Sequence, residues 1–150
     1  MADSSQHEDS EPRPRPAGSP ECPLILVADD NADDVFLLRE GLSSDTWSFD
    51  LVHALDGEEA LKLLDSKDRM PDLIVLDYHL PRLTGEEVLT AFRQSNDSSK
   101  SVVVILSSVI SERQRSELLQ LGAHSIFEKP CDFKGFMELG TNLRSLISAR

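Results

Sequence analysis

Short, mostly apolar runs alternate with stretches of helical periodicity along this chain. Leu24-Ile25-Leu26-Val27-Ala28 is the first run, and Leu73-Ile74-Val75-Leu76 lies at the centre. Ser101-Val102-Val103-Val104-Ile105-Leu106 is the most apolar. Runs this short, rich in branched side chains, predict strands covered on both faces, as in a parallel sheet. Phe49–Ala54 is less apolar and predicts a strand nearer an edge. A last short strand is predicted over Ala123–Glu128.

The intervening segments carry helix signals. Asn31 to Asp34 offer an N-cap and a negative first turn, and Val35, Leu38 and Leu42 follow at helical spacing. Asp56-Gly57-Glu58-Glu59 opens a second helix bearing Ala60, Leu61, Leu63 and Leu64. Glu86 to Arg93 is a third, with Val88, Leu89 and Phe92 on one side. Ser111 caps a fourth, which ends before Gly122. Asp132 to Ser148 is the last, and it is apolar around more than one stripe.

Strand and helix thus alternate five times with links of a few residues. That spacing predicts right-handed βαβ units, hence an α/β domain with a doubly wound, five-stranded parallel sheet. All carboxyl ends of such a sheet share one rim, and ligands bind there.

The residues at those ends carry chemistry. The first run ends on Asp29-Asp30, the central one on Asp77, the next on Ser107-Ser108 and the last on Lys129-Pro130. Leu80-Pro81 and Gly85 shape the turn after Asp77. Three carboxylates brought together would repel strongly, because partly buried charges are poorly screened. A divalent cation would relieve this, and Mg²⁺ takes oxygen ligands of this kind. With Lys129, such a cation would balance the charge. A phosphoryl group arriving at Asp77 would meet a metal, an ammonium and a hydroxyl, a clamp for in-line transfer to a carboxylate.

Bulk properties narrow the classes. At 150 residues with 39% hydrophobic and 28% charged residues, the chain fits one soluble domain plus a tail. A formal net charge of −12 argues against nucleic-acid or anionic-membrane binding through bulk charge. Apolar runs are too short for a membrane span and the N-terminus lacks a signal pattern, so a cytoplasmic protein is expected. Residues 1–22, with the run from Pro12 to Pro16, are expected to form a disordered or polyproline-like tail, and the folded domain to occupy 23–150. Cys22 and Cys131 are placed at opposite ends of neighbouring strands, too far apart for a disulfide.

The ordered set Asp29-Asp30, Asp77, Pro81 to Gly85, Ser107 and Lys129-Pro130 resembles the receiver domain of two-component response regulators over roughly residues 23–148. Asp29 to Val35 and Asp56 to Leu61 further resemble the stand-alone regulators paired with phytochrome-type kinases. The resemblance implies a (βα)5 flavodoxin-like fold and a phospho-acceptor switch rather than a conventional enzyme. Asp77 would accept a phosphoryl group from a sensor histidine kinase or a histidine phosphotransfer protein. Asp30, Asp77 and the backbone carbonyl of His79 would bind Mg²⁺, with Asp29 reaching it directly or through water. Ser107 would bond one phosphoryl oxygen and shift on activation, and Lys129 would pair with another. A cis Lys129–Pro130 bond and a homodimer through the last strand and helix are further implications. The chain ends just after the last helix, so the resemblance implies an output through a partner or a role as phosphate sink.

Two positions depart from the family pattern. Ser107 replaces the commoner threonine, and Ile126 stands where many members carry a switching Tyr or Phe. Signal output is then expected from backbone shifts and the last helix. His79 is expected to tune acyl-phosphate hydrolysis, whereas His53 and His124 are expected to be structural. A phosphorylation-independent interaction module is the competing reading, and the intact acidic set argues against it. An aspartate-nucleophile phosphatase would need a cap insertion, which the short loops leave no room for. A nucleotide-binding protein would need a glycine-rich loop after the first strand, which is missing.

Overall fold

The structure, a computed structural model, describes residues 22–65, 69–95 and 98–148. The expected tail and His7 lie outside the described residues. Among the described residues five strands and five α-helices alternate: β1 (Leu24–Ala28), α1 (Ala32–Leu42), β2 (Asp50–Ala54), α2 (Gly57–Asp65), β3 (Leu73–Asp77), α3 (Gly85–Arg93), β4 (Val102–Ser107), α4 (Glu112–Leu121), β5 (Ser125–Glu128) and α5 (Phe133–Ser148). All pairings are parallel, in the order β2-β1-β3-β4-β5. β2 lies at an edge, as its mixed composition predicts. The pattern is the doubly wound flavodoxin-like arrangement expected.

Register decides what meets at the rim. Ala28 is level with Leu76, Asp77 with Leu106, and Ser107 with Glu128. Asp29, Asp77 and Lys129 therefore emerge together although they are distant in sequence.

Alternate strand residues serve two cores, which is why the runs read as continuously apolar. Leu26, Ile74, Val103 and Ile105 pack with α2, α3 and α4 residues such as Leu64, Val88, Phe92 and Leu118. Ile25, Val75, Val104 and Leu106 pack with Leu38 and Leu42 of α1 and with Phe136, Leu139 and Leu143 of α5. Met137, Leu146 and Ile147 join that second core, so much of the surplus apolar surface of the last helix is used within the chain. Phe133 remains largely exposed.

α1 and α5 approach unusually closely. A Cβ on Gly41 would lie 2.2 Å from the Phe136 carbonyl oxygen, and one on Gly140 would lie 2.1 Å from the Gly41 backbone. Arg144 donates from α5 to the carbonyls of Gly41 and Leu42 at 3.1 Å, satisfying groups left open at the end of α1. Arg93 similarly gathers the carbonyls of Gly122 at 3.0 Å, Ser101 at 3.1 Å and Ser98.

Local capping follows the sequence signals. The Asn31 side chain accepts from the Asp33 and Asp34 amides, Thr84–Glu87 and Ser111–Gln114 form capping boxes, and Gly122 ends α4 with φ of 115°. At the opposite rim, Trp47 stacks near Phe49, centroids 5.3 Å apart, where the chain enters β2.

Two expectations need correction. No cis peptide occurs among the described residues, so Lys129–Pro130 is trans. Cys22 and Cys131 form no disulfide, as expected, but β3 and β4 separate their strands, which are not neighbours.

Candidate functional site

Asp77, the last residue of β3, is only 7% exposed. Its Oδ1 accepts the His79 amide at 3.1 Å and its Oδ2 accepts from Lys129 Nζ at 2.8 Å. The same ammonium lies 2.9 Å from Asp29 Oδ2 and 3.0 Å from Asp34 Oδ2. Asp29 is buried and also accepts the Asn31 amide at 2.9 Å. Asp30 is exposed beside them, and one carboxylate oxygen from each of Asp29, Asp30 and Asp77 falls within 4.8 Å of the others. Ser107, buried at the end of β4, donates its hydroxyl to the Val109 carbonyl at 2.8 Å.

Backbone geometry makes room for this cluster. A Cβ on Gly85 would lie 2.7 Å from the Asp77 carbonyl oxygen, so only glycine lets α3 begin so close to the rim. The Gly85 amide donates to the Tyr78 carbonyl at 3.0 Å and closes the turn. Arg82 adopts φ of 71° in this loop and pairs with Asp56 at 3.4 Å and Glu58 at 3.5 Å, fastening it to the start of α2.

The electrostatics reflect burial against pairing. Burial opposes the charge on Lys129, but its hydrogen bonds to Asp77, Asp29 and Asp34 outweigh that and raise its pKa well above the ordinary lysine range. Burial raises the Asp29 carboxyl, and the Lys129 and Asn31 hydrogen bonds only partly oppose it. Four carboxylates, Asp29, Asp30, Asp34 and Asp77, gather around one ammonium, so the cluster carries more negative charge than Lys129 alone relieves. Its donors are all oxygen, a set suited to a hard divalent cation.

The structure brings together Asp29, Asp30, Asp77 and Lys129, with His79 two residues beyond Asp77. Ser107 stands at the neighbouring strand end, its hydroxyl turned to Val109. Ile126 is buried against the α2–α4 core, with no ring to rotate. One contributor lies outside the expected set: Asp34, placed by its sequence in the negative first turn of α1, reaches Lys129 at 3.0 Å. A charged residue one helical turn past the Asp pair is the sequence signal that marks it. His53 bonds through Nε2 to the Asp29 backbone carbonyl oxygen at 2.7 Å, in keeping with the structural role expected of it.

Fold and rim together define an α/β protein with an acidic, oxygen-rich centre at the carboxyl edge of a parallel sheet. The chain belongs to the response regulator receiver domain family, whose family model matches residues 25–139. It is thus a receiver domain of two-component signalling. The transcriptional regulatory protein CpxR of Escherichia coli (strain K12) is 34% identical over 123 residues, covering 82% of this chain and 48% of that protein. Response regulator MprA of Mycobacterium avium (strain 104) is 37% identical over 123 residues, covering 82% of this chain and 50% of that protein. The chain spans about half the length of these relatives. Among solved structures, the phosphorylated cyanobacterial phytochrome response regulator RcpA superposes with a TM-score of 0.76 at 25% identity, covering 83% of this chain and 93% of that one. The Mn²⁺-bound response regulator Rcp1 gives 0.74 at 26% identity, covering 82% and 92%. Among the described residues no helix is long and apolar enough to cross a membrane.

Proposed function

We propose that this chain accepts a phosphoryl group on Asp77 from a phosphohistidine donor, either a sensor histidine kinase or a histidine phosphotransfer protein. The carrying observation is the Lys129 ammonium 2.8 Å from Asp77 Oδ2, beside two more carboxylates. A carboxylate oxygen of Asp77 attacks phosphorus, the new O–P bond forms as the N–P bond breaks, and the imidazole leaves as its nitrogen takes a proton. Lys129 then pairs with a phosphoryl oxygen, and Ser107 gives up Val109 to donate to another. Attack of water on phosphorus breaks the O–P bond, releases inorganic phosphate and restores the carboxylate.

Asp29, Asp30, Asp77 and the His79 backbone carbonyl would hold Mg²⁺. When bound, the ion neutralises charge on the carboxylates and on the transferring group. RcpA is a phytochrome response regulator and Rcp1 is known in a Mn²⁺-bound form, which supports a phytochrome-type donor and a divalent ion here. Phosphorylation would switch the α4–β5–α5 side, acting on a partner in the cytoplasm or draining phosphoryl groups from the kinase. The edge position of β5 and the exposed Phe133 support a homodimer through that side.

Mass spectrometry after acetyl phosphate and Mg²⁺ treatment tests the reading. Wild type should gain one phosphoryl group and Asp77→Asn none. Equal labelling of both, or of neither, would overturn it.

A further inference from the structure

We propose that Asp34 is a positioning residue for phosphoryl transfer, anchoring the Lys129 ammonium from α1 so that its other donors face the acceptor. This rests on the reading of Asp77 as phospho-acceptor.

An ammonium has three N–H donors, and Lys129 is placed among three carboxylates: Asp77 at 2.8 Å, Asp29 at 2.9 Å and Asp34 at 3.0 Å. Their duties differ. Asp77 takes the phosphoryl group, and Asp29 belongs with the cation-holding oxygens. Asp34 is outside that cluster. It is the one partner whose bond to Lys129 need not change as Asp77 is charged and discharged.

Asp34 is also held firmly. Its amide donates to the Asn31 side chain at 3.3 Å. Its helix is pinned at the far end by the Gly41–Gly140 contact and the Arg144 cap. A lysine stem has several rotatable bonds, and ordering it costs rotamer freedom. A fixed carboxylate on α1 removes that search from each transfer.

An ordinary surface ion pair would contribute little. This one differs, because the two side chains are only 14% and 23% exposed. Asp33 supplies an internal comparison. It sits in the same negative first turn, is exposed, and makes no ion pair among the described residues. Helix-dipole effects should be shared by both residues, whereas the Lys129 contact belongs to Asp34 alone.

The test follows the rate of Asp77 labelling by acetyl phosphate and Mg²⁺ in the full chain. Asp34→Ala should slow it about tenfold, the effect expected for losing a charge-assisted hydrogen bond. Asp34→Asn keeps an acceptor oxygen and should stay within about threefold of wild type. Asp33→Ala should match wild type. Adding Asp34→Ala to Lys129→Ala should cause no further loss, since Asp34 acts through that amine. If Asp34→Ala fails to fold, Asp34→Ser must show the same slowing, because its hydroxyl suits a first turn but falls short of Lys129. Wild-type rates in the Ala or Ser variant, or full loss on the Lys129→Ala background, would overturn the proposal while leaving the phospho-acceptor reading standing. A wild type that never labels would remove both.

Discussion

The Ser107 hydroxyl donates to the Val109 carbonyl, 2.8 Å away in the loop after β4. That bond is local, and its acceptor belongs to an exposed residue that water can reach. Ser107 can thus be redirected at small cost. Ser107→Ala should lower stability by only about 1 kcal/mol. It should slow labelling of Asp77 by about ten- to a hundredfold, because a hydrogen bond to a charged phosphoryl group is lost. Urea titration and labelling rates, measured on the same preparation, check the two halves separately.

The rim charges fix how stability varies with pH. Lys129 has a folded pKa above its unfolded value of about 10.4. Its contribution is then complete below that value and is lost as pH rises through the folded one. Lys129→Met should therefore be destabilised throughout the neutral range, by about 3 kcal/mol, since three carboxylates are left facing one another. Thermal melts of both proteins from neutral to strongly alkaline pH should converge only at the alkaline end.

Asp29 behaves oppositely to a typical ion-paired carboxylate. Burial raises its folded pKa above the unfolded value of about 3.9. Its contribution is present below that value and is lost as pH rises through the folded one. Asp29→Asn should accordingly be more stable than wild type at neutral pH without added metal, and the difference should close on acidification. Melting temperatures across that range measure it.

The contact between α1 and α5 leaves no space for a methyl group. Gly41→Ala and Gly140→Ala each place a Cβ within 2.2 Å of backbone atoms. The gain in helix propensity, about 1 kcal/mol, cannot offset prising two helices apart. Each should lower stability by about 2 kcal/mol in urea unfolding.

Arg93 joins the end of α3 to the segments before β4 and after α4 through three carbonyls. A lysine offers a single point charge where a planar fork is needed. Arg93→Lys and Arg93→Ala should both destabilise, by roughly 2 kcal/mol, as half-buried carbonyls lose their donor. Denaturant midpoints would show this as similar losses for the two variants.

Fold and rim were legible for different physical reasons. The apolar runs were readable because β1, β3 and β4 are covered on both faces, so burial overrides alternation. Asp29, Asp30, Asp77, Ser107 and Lys129 were readable because strand ends in a parallel sheet share an edge. Asp34 escaped because its role depends on where a side chain points from a neighbouring element. The separation of the cysteine strands escaped because strand order is set by crossovers, which local sequence does not encode.

The chain's single tryptophan has a practical bearing. Trp47 lies where α1 gives way to β2, across the whole height of the sheet from Asp77, packed near Phe49. Its emission will follow melting of that corner and stay quiet when a cation or phosphoryl group arrives, so an optical reporter of activation would have to be engineered near the acidic rim.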